Sequence, residues 1–323
     1  MWKIRDIEIK NQLVVAPMAG ISNAAFRSIC FDYGAGLVYT EMVSDKAIYY
    51  KSEKTFDMCT TLDNEHPLSM QLFGSEVDTM IVGAKYLDDN TNCDIIDINM
   101  GCPVTKIVKS GSGSALMKDV DKAVDIVKNI IENVKKPVTV KMRIGWNKEN
   151  INCIELAQKL EAVGVSAIAV HGRTKGQMYE GTVDWDTIKK VKEAVNIPVI
   201  GNGDIKTVED FIEKLEYTNC DAIMVGRGVV GNPFLINQIV KYCDGKDYSM
   251  PTYEERIQMC IDHTSKLIQL KNEVIALKQM RGLSGWYLKG MPSCSEVRNH
   301  LTQVESFEEL KDVLYKYLDK LSD

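Results

Sequence analysis

Side chains able to bind or react follow nearly every apolar segment in the first two thirds of the chain. The most reactive is the thiol of Cys102, which stands between glycine and proline in the run DINMGCPVTK, without a CxxC partner or zinc-ligand spacing around it. Hydrogen-bonding or charged groups follow seven of eight such segments, which indicates a ring of side chains around one ligand. In chain order the positions are Pro17–Met18–Ala19, Glu41, Gln71, Asn99 with Cys102, Lys141 with Arg143, His171 with Arg173, Asn202, and Gly226 with Arg227.

The types of these groups suit a flavin that carries one phosphate. Amides such as Gln71 and Asn99, together with His171, can bind the pyrimidine edge of a flavin ring, and Lys141 supplies positive charge where the reduced ring becomes anionic. The runs GNGD and GRG follow the seventh and eighth segments, so their backbone N–H groups can approach a phosphate closely. A phosphate site combined with an edge-binding site indicates FMN rather than a dinucleotide.

The segments that position these groups have the pattern of eight parallel strands. They are continuous apolar runs, as expected of strands buried on both faces, and amphipathic helical stretches separate them. This alternation predicts an α/β fold, a (β/α)8 TIM barrel; a doubly wound sheet is the weaker alternative, because no GxGxxG motif opens the first unit. The predicted strands are Leu13–Ala16, Leu37–Thr40, Leu68–Phe73, Ile95–Asn99, Val138–Met142, Ala167–Gly172, Pro198–Gly203 and Ala222–Gly226.

The pattern changes at about Tyr248, after which helical periodicity continues to the end of the chain. Glycines and prolines interrupt this part, no strong strand pattern occurs, and Thr252 and Ser306 are candidate helix N-caps. We therefore expect a catalytic barrel over residues 1–245 and a small helical-bundle domain over residues 246–323.

Composition narrows the class of protein. The chain has 323 residues and a formal charge of −6, with nine scattered cysteines and four histidines. No apolar run approaches the roughly 18–20 residues that span a bilayer, and the amino terminus lacks a signal-peptide core. These features predict a cytoplasmic protein without a membrane or metal partner, and they leave room for a local basic face that binds nucleic acid.

Nine motifs occur in a fixed order from about residue 4 to residue 290: APMAGISNAAFR, TEM, QLFG, DINMGCPVTK, GSGSAL, VKMRIGW, HGRT, IGNGDI and MVGRG. Together they resemble the tRNA-dihydrouridine synthases, most closely their bacterial B-type branch. GCP or GNGD alone is a weak signal, whereas the ordered set is specific. The resemblance implies an FMN enzyme that reduces the C5–C6 double bond of particular uridines in tRNA with NADPH.

The resemblance also implies a role for each residue of the ring. Cys102 would be the proton donor, Asn99 would line the substrate pocket beside the flavin, and Arg143 would lie near the flavin or the target base. Asp97 is interpreted as part of the packing of its strand. The residues expected to hold FMN are Pro17, Met18, Ala19, Gln71, Lys141, His171, Asn202, Gly203, Asp204, Gly226 and Arg227.

A thiol suits the implied reaction as an acid. Nicotinamide would reduce the flavin and leave, so no Rossmann module is required, and hydride transfer to uracil C6 would then leave C5 in need of a proton. A neutral thiol, with an unperturbed pKa of about 8.5, is protonated at neutral pH yet acidic enough to donate. An acid needs no activating base, which agrees with the absence of a histidine or carboxylate next to Cys102 in the sequence.

Binding of tRNA must offset the few kcal/mol needed to unstack the target base. The helical region departs from the family here, because MRGLSGWY has Gly282 and Leu283 where Lys and His are common, so the uridine position stays open. The cations expected to contact tRNA are Lys106 and Lys109 beside the thiol, Arg173 and Lys175 after the sixth strand, and Arg281, Lys289 and Arg298 in the helical region.

Two other functions are compatible with parts of the sequence. A related FMN TIM-barrel oxidoreductase acting on a free pyrimidine or another small molecule would share the ring but would not need the helical domain. A tRNA-binding protein without catalysis is the third candidate, and the intact Cys102 and Lys141 argue against it. For the leading function the expected partners are tRNA and NADPH, and the protein is expected to act as a monomer.

Overall fold

Eight parallel strands form a closed barrel in the computed structural model, which describes residues 1–322. Each strand pairs with the next along the chain, and the eighth returns to pair with the first. The short segment Val43–Ser44 adds a further pairing beside the third strand. The barrel strands are β1 (Leu13–Val15), β2 (Leu37–Tyr39), β3 (Leu68–Phe73), β4 (Ile95–Met100), β5 (Val138–Arg143), β6 (Ala167–His171), β7 (Val199–Asn202) and β8 (Ala222–Val225).

Helices cover the outside of the barrel with their apolar faces. In the sixth helix the buried residues include Ile126 and Ile130, whose i, i+4 spacing puts them on one face. Side-chain caps fix several helix starts; Thr207, for example, forms a capping box with Asp210. The helices around the barrel are α1 (Ala24–Asp32), α2 (Asp45–Tyr49), α3 (Glu53–Met58), α4 (Val77–Asn90), α5 (Thr105–Lys109), α6 (Val120–Ile131), α7 (Cys153–Ala162), α8 (Trp185–Ala194), α9 (Val208–Thr218) and α10 (Phe234–Cys243).

An amino-terminal hairpin, Trp2–Ile4 paired with Ile7–Ile9, plugs one end of the barrel. Ile4 and Ile9 are fully buried in an apolar cluster with Ile95, Ala167 and Ala222, each the first residue of its strand. The amino-terminal end of the barrel is therefore filled by apolar side chains. A ligand is therefore expected at the opposite end, where the strands finish and where TIM barrels carry their active sites.

Four further helices follow the barrel and pack around a second apolar core: α11 (Tyr253–Leu270), α12 (Glu273–Tyr287), α13 (Cys294–Leu301) and α14 (Phe307–Ser322). This core also includes Ala25 and Ile29 of α1 and Val230 of the loop after β8. Because the second core includes residues of the barrel, the helical region packs directly against the side of the barrel.

Two polar contacts and one close approach of the backbone fix this packing. The ammonium of Lys266 in α11 donates to Ser28 at 2.8 Å and to Asp32 at 2.9 Å, both in α1. Gly231, with φ of +65°, lies so close to α12 that an added Cβ would be 2.4 Å from the carbonyl carbon of Trp286. The loop after β8 therefore touches the helical region directly.

The predicted TIM barrel followed by a helical region is confirmed. Every predicted strand coincides with an observed strand, and no end differs by more than one residue. The predicted division at residue 245 falls between the end of α10 and the start of α11, while the assignment of the two parts to catalysis and tRNA binding stays a prediction. None of the helices in residues 1–322 has the length and apolar character needed to cross a bilayer.

Gly231→Ala is expected to loosen the helical region from the barrel. The new Cβ would collide with Trp286 and strain a positive φ, so the free energy of unfolding should fall by about 3 kcal/mol. Gly245→Ala is the matched control: its φ is +70° but its Cβ would meet nothing within 4 Å, so it should cost only about 1 kcal/mol. Urea unfolding measures both losses, and equal losses would contradict a tight contact at Gly231.

Candidate active site

The carboxyl ends of the strands bring the predicted polar residues to one mouth of the barrel. The register places Asn99 beside Lys141, and it places His171 between Arg143 and Asn202 on the neighbouring strands. Side chains at paired positions of parallel strands project on the same side, so these groups share one surface. The structure thus assembles the ring that the sequence indicated.

A chain of hydrogen bonds runs from the barrel interior to the thiol loop. Gln71 Nε2 donates to Asp97 Oδ2 at 2.7 Å, and Asn99 Nδ2 donates to Gln71 Oε1 at 2.7 Å. The Asn99 carbonyl oxygen then accepts from the backbone N–H of Gly101 at 3.1 Å and of Cys102 at 2.9 Å. The backbone at the thiol is therefore connected to a fully buried carboxylate.

The backbone carbonyl group of Cys102 is held as firmly as its N–H. Its carbonyl oxygen accepts from Ser114 through both the backbone N–H, at 3.1 Å, and the hydroxyl, at 2.9 Å. Gly113 has φ of +62°, and a Cβ there would lie 2.8 Å from this oxygen. The half-buried thiol is thus fixed at the mouth, and burial raises its pKa, so it stays protonated at neutral pH.

Lys141 offers a cation whose hydrogen-bonding capacity is largely unused. Its ammonium donates to Asn202 Oδ1 at 3.1 Å, and Asn202 in turn donates to the carbonyl of Met224 at 2.9 Å. An ammonium has three donors, and within the described residues Lys141 makes this one hydrogen bond. Burial, with a contribution from Arg143, lowers the pKa of Lys141 to about 8, which still leaves it mainly charged at neutral pH.

Arg143 is buried and joins two loops of the mouth. Its Nε donates to the carbonyl of Gly101 at 2.8 Å, and its Nη1 donates to the carbonyls of Thr174 and Met178 at 2.8 and 2.7 Å. Burial lowers the pKa of Arg143 to about 10, so the guanidinium remains charged. The residue therefore ties the thiol loop to the loop after β6.

An ion-pair network lies at the ends of β7 and β8. Arg173 holds Asp204 through two hydrogen bonds of 2.9 and 2.6 Å, and Arg227 reaches the same carboxylate at 3.0 Å. The hydrogen bonds from Arg173 keep the pKa of Asp204 below its ordinary value. Asp204 and Gly203 both have positive φ, of 47° and 148°, so a sharp turn presents this carboxylate to the arginines.

The imidazole of His171 lies among these cations. Burial lowers its pKa well below the usual range, and four nearby positive charges add to the effect, so the ring is neutral. Those charges belong to Lys141, Arg143, Arg173 and Arg227. A mouth with this concentration of positive charge suits an anionic ligand.

The loop after β1 lies next to the end of β8 and so closes the ring of loops at the mouth. The Ser22 hydroxyl accepts from the backbone N–H of Met18 at 3.0 Å and donates to the carbonyl of Ala16 at 3.2 Å. A Cβ on Gly226 would lie 3.6 Å from Ala16 and 3.8 Å from the Met18 sulfur. The segment Pro17–Met18–Ala19 therefore meets the glycine that precedes Arg227.

The cations expected to contact tRNA fall into two groups. Lys106 and Lys109 of α5 are exposed beside the thiol loop. Arg173 is buried in its pair with Asp204, and Arg281 donates through two nitrogens to the carbonyl of Val304 at 3.1 and 2.8 Å. These bonds give Arg173 and Arg281 structural contacts within the chain, and their direct contact with tRNA stays a prediction.

Three residues of the mouth were not selected from the sequence. Asp97 was interpreted as packing, yet it carries the hydrogen-bond chain; the available signal was a carboxylate inside an apolar strand. Tyr179, half-exposed, lies between two arginines, 5.5 Å from Arg143 and 5.0 Å from Arg227, measured from the guanidinium carbon to the ring centre. Trp146 has two lysines against its ring. No group of three or more potential metal ligands is found in the part of the chain that the structure describes.

Comparison with solved structures gives the same fold. The crystal structure of TcOYE with pHBA matches with a TM-score of 0.56 at 12% sequence identity, covering 77% of this chain and 92% of that one. Morphinone reductase matches with a TM-score of 0.56 at 12% identity, covering 79% and 91%. At this identity the likeness establishes a shared barrel and nothing about the ligand.

Comparison with the sequences of named relatives is more specific. The chain is 38% identical to tRNA-dihydrouridine synthase B of Vibrio vulnificus, covering 99% of both chains. It is 37% identical to a probable tRNA-dihydrouridine synthase of Rickettsia bellii, covering 98% of both. The family model described as dihydrouridine synthase (Dus) matches residues 14–322. With the match spanning the barrel, its mouth and the helical region, the chain belongs to the dihydrouridine synthase family.

Proposed function

We propose that this protein reduces the C5–C6 double bond of uridines in tRNA to dihydrouridine, with FMN as bound cofactor and NADPH as reductant. The observation that carries the proposal is a thiol kept protonated at a barrel mouth rich in positive charge, in a chain of this family. The names of the full-length relatives support tRNA as the substrate. A cytoplasmic monomer is part of the same proposal.

The residues present fit FMN. Lys141 has ammonium donors to spare beside its hydrogen bond to Asn202, and Gln71 and the loop at Met18 belong to other strands of the same barrel. We assign the flavin ring to Pro17, Met18, Ala19, Gln71, Lys141, His171 and Asn202, and the phosphate to Gly203, Asp204, Gly226 and Arg227. Arg227 is the half-exposed member of the Asp204 network, so its guanidinium is accessible to a phosphate.

When bound, FMN would supply the hydride that the reaction requires. The chain's own contribution is position and protonation: Asn99 and Arg143 line the space where the uracil enters, and Cys102 holds a proton on Sγ for delivery to C5. The charge of Lys141 stabilises negative charge that develops next to it. Arg143 holds the thiol loop and the loop after β6 in fixed positions around the base, through its hydrogen bonds to both loops.

The purified protein is expected to be yellow and to release FMN on denaturation. Absorbance near the flavin maximum and chromatography of the released cofactor identify it. Lys141→Met should weaken FMN retention because a partly buried cation and its hydrogen bond are lost. A colourless protein that does not take up added FMN would contradict the flavin assignment.

Cys102→Ala is expected to separate the two half-reactions. Flavin reduction by NADPH should stay nearly unchanged, while reduction of tRNA by the reduced enzyme should slow by about 10²–10⁴-fold, the usual contribution of acid catalysis. Rapid-mixing absorbance measures both steps. Cys243→Ala is the control, since Cys243 is exposed at the end of α10. Equal slowing of both steps would contradict the proton-donor role, and activity on free uridine alone would favour the small-molecule alternative.

A basic patch beside the thiol loop is a second element of tRNA binding. The ammonium groups of Lys118 and Lys175 lie 4.8 and 4.7 Å from the centre of the Trp146 ring. Among residues 1–322 neither lysine forms an ion pair, so two like charges share one indole without a counterion. A phosphate of the RNA backbone would relieve this repulsion.

The position of this patch agrees with that role. Lys118 is the last residue of the 3₁₀ helix Gly113–Lys118, and the first residue of this helix lies against the carbonyl oxygen of Cys102. Trp146 lies in a short hairpin after β5, in which Gly145–Asn147 pairs with Asn150–Ile151. The backbone N–H of Lys175 donates to the carbonyl of Gly145 in this hairpin at 2.9 Å. The patch therefore borders the thiol loop, where phosphates next to a flipped uridine would lie.

The double variant Lys118→Glu/Lys175→Glu is expected to bind tRNA more weakly, with a salt dependence shallower by about 1 to 2 in log–log slope. Lys190→Glu/Lys241→Glu gives the same change of charge away from the mouth, on α8 and α10, and should leave that slope unchanged. Filter binding over a range of salt concentrations measures it. Equal slopes for both double variants would remove the patch from the interface.

A further inference from the structure

We propose that Asp97 is a positioning residue: it sets the direction of the amide chain Gln71–Asn99 and thereby holds the Cys102 loop over the barrel mouth. Its effect on catalysis rests on the proposed function above. Asp97 lies in the middle of β4, fully buried, and touches none of the groups assigned to proton transfer. It acts through its neighbours.

The direction of the chain follows from what each group can do. An ionised carboxylate only accepts hydrogen bonds, so Gln71 must turn its NH2 toward Asp97, 2.7 Å away. The Gln71 oxygen then faces Asn99, which must also present its NH2, again at 2.7 Å. The Asn99 oxygen is left to face the backbone donors of Gly101 and Cys102.

The reverse direction is incompatible with the thiol loop. Side-chain amides are nearly symmetric in shape, so nothing steric prevents Gln71 and Asn99 from turning over. A reversed Asn99 would point NH2 at two backbone N–H groups, leaving partly buried donors without acceptors. An acceptor-only group at the start of the chain excludes this arrangement, and Asp97 is that group.

Asp97 is itself held from the other side. Thr139 of β5 donates its hydroxyl to Asp97 Oδ1 at 2.7 Å, and the register puts Asp97 directly between Gln71 and Thr139. Burial raises the pKa of Asp97 to about 6, so at neutral pH the carboxyl is mainly ionised and acts only as an acceptor. The two oxygens thus have separate tasks, one toward each neighbouring strand.

The consequence is a thiol loop in which both peptide groups that flank the Cα of Cys102 are fixed. The hydrogen-bonded series Asp97–Gln71–Asn99, called the relay below, binds the N–H of Cys102 through the Asn99 oxygen. Ser114 binds the carbonyl oxygen of Cys102. Loss of the relay would leave the carbonyl contacts in place but free the residue to rotate. A proton donor displaced by about 1 Å is enough to slow a reaction by about 10²-fold.

The test compares full-length holoenzyme in four forms: wild type, Asp97→Ala, Asp97→Asn and Thr139→Val. Alanine removes the anchor of the relay. Asparagine keeps the size of the side chain, but it presents both a donor and an acceptor, so it no longer imposes one direction on the amide chain. Valine removes the other hydrogen bond to the same carboxylate and leaves the relay intact.

Two readouts are taken, single-turnover reduction of tRNA by the reduced enzyme and alkylation of Cys102 by iodoacetamide. Asp97→Ala should slow tRNA reduction by about 10²-fold and change the alkylation rate of Cys102, while the exposed Cys243 reacts as in wild type. Asp97→Asn should change both rates in the same direction as Asp97→Ala, because the amide chain is no longer held in one direction, and Thr139→Val should behave as wild type in both. Equal effects of Asp97→Ala and Thr139→Val, or wild-type rates in Asp97→Asn, would overturn the proposal.

A folding failure of Asp97→Ala does not remove the test. Gln71→Met breaks the relay one step later at nearly the same volume, and it should change the alkylation rate of Cys102 in the same way; an unchanged rate would overturn the proposal. Alkylation needs no tRNA, so the relay is tested even if wild type does not reduce tRNA. Inactivity of wild type on tRNA would instead contradict the proposed function.

Discussion

The register of β3, β4 and β5 is the constraint on which the mouth of the barrel depends. Parallel pairing places Gln71, Asp97 and Thr139 in one row and Asn99 beside Lys141 in the next. A shift of one residue would turn each of these groups to the helix side and bring apolar neighbours inward. Closure of the barrel, with β8 returning to β1, leaves no edge strand free to slide. The polar rows are therefore fixed by the same hydrogen bonds that form the fold.

Buried charge at the mouth is balanced mainly by main-chain oxygens and not by carboxylates. The donors of Arg143 are satisfied by three carbonyl groups, and those of Arg173 by two carbonyls together with Asp204. Carbonyl dipoles satisfy the guanidinium donors but leave the net positive charge in place. The mouth thereby keeps an attraction for anions although the whole chain carries a formal charge of −6. Local arrangement, and not overall charge, determines what this surface can bind.

Much of this could be predicted from the sequence, and the reasons differ between elements. The strands are continuous apolar runs separated by amphipathic helices, a pattern that only a buried parallel sheet explains, and the mouth residues follow because strand ends meet there. The role of Asp97 could not be read in this way, since a carboxylate in an apolar strand has no visible partner until the register is known. The opposite problem affects Arg173 and Arg281: basic residues in loops and helices suggest contact with RNA, but whether a guanidinium is free depends on carbonyls that sequence does not locate. Trp146 and its two lysines come from three separate segments of the chain, so their meeting is also a property of the fold.

The contact between Gly231 and α12 has a consequence for how this architecture is divided. The segment that leads from Arg227, at the mouth, to Gly231, at the surface of the helical region, is only a few residues long and includes a 3₁₀ turn. The two parts of the molecule are consequently not interchangeable modules. A helical region transplanted from a relative would need its own β8 loop and the matching face of α1 to sit correctly, and a change in the angle of that region would be transmitted to the arginine at the mouth. Sequence changes in the helical region and in the β8 loop are therefore expected to occur together among relatives, because the two segments form one contact surface.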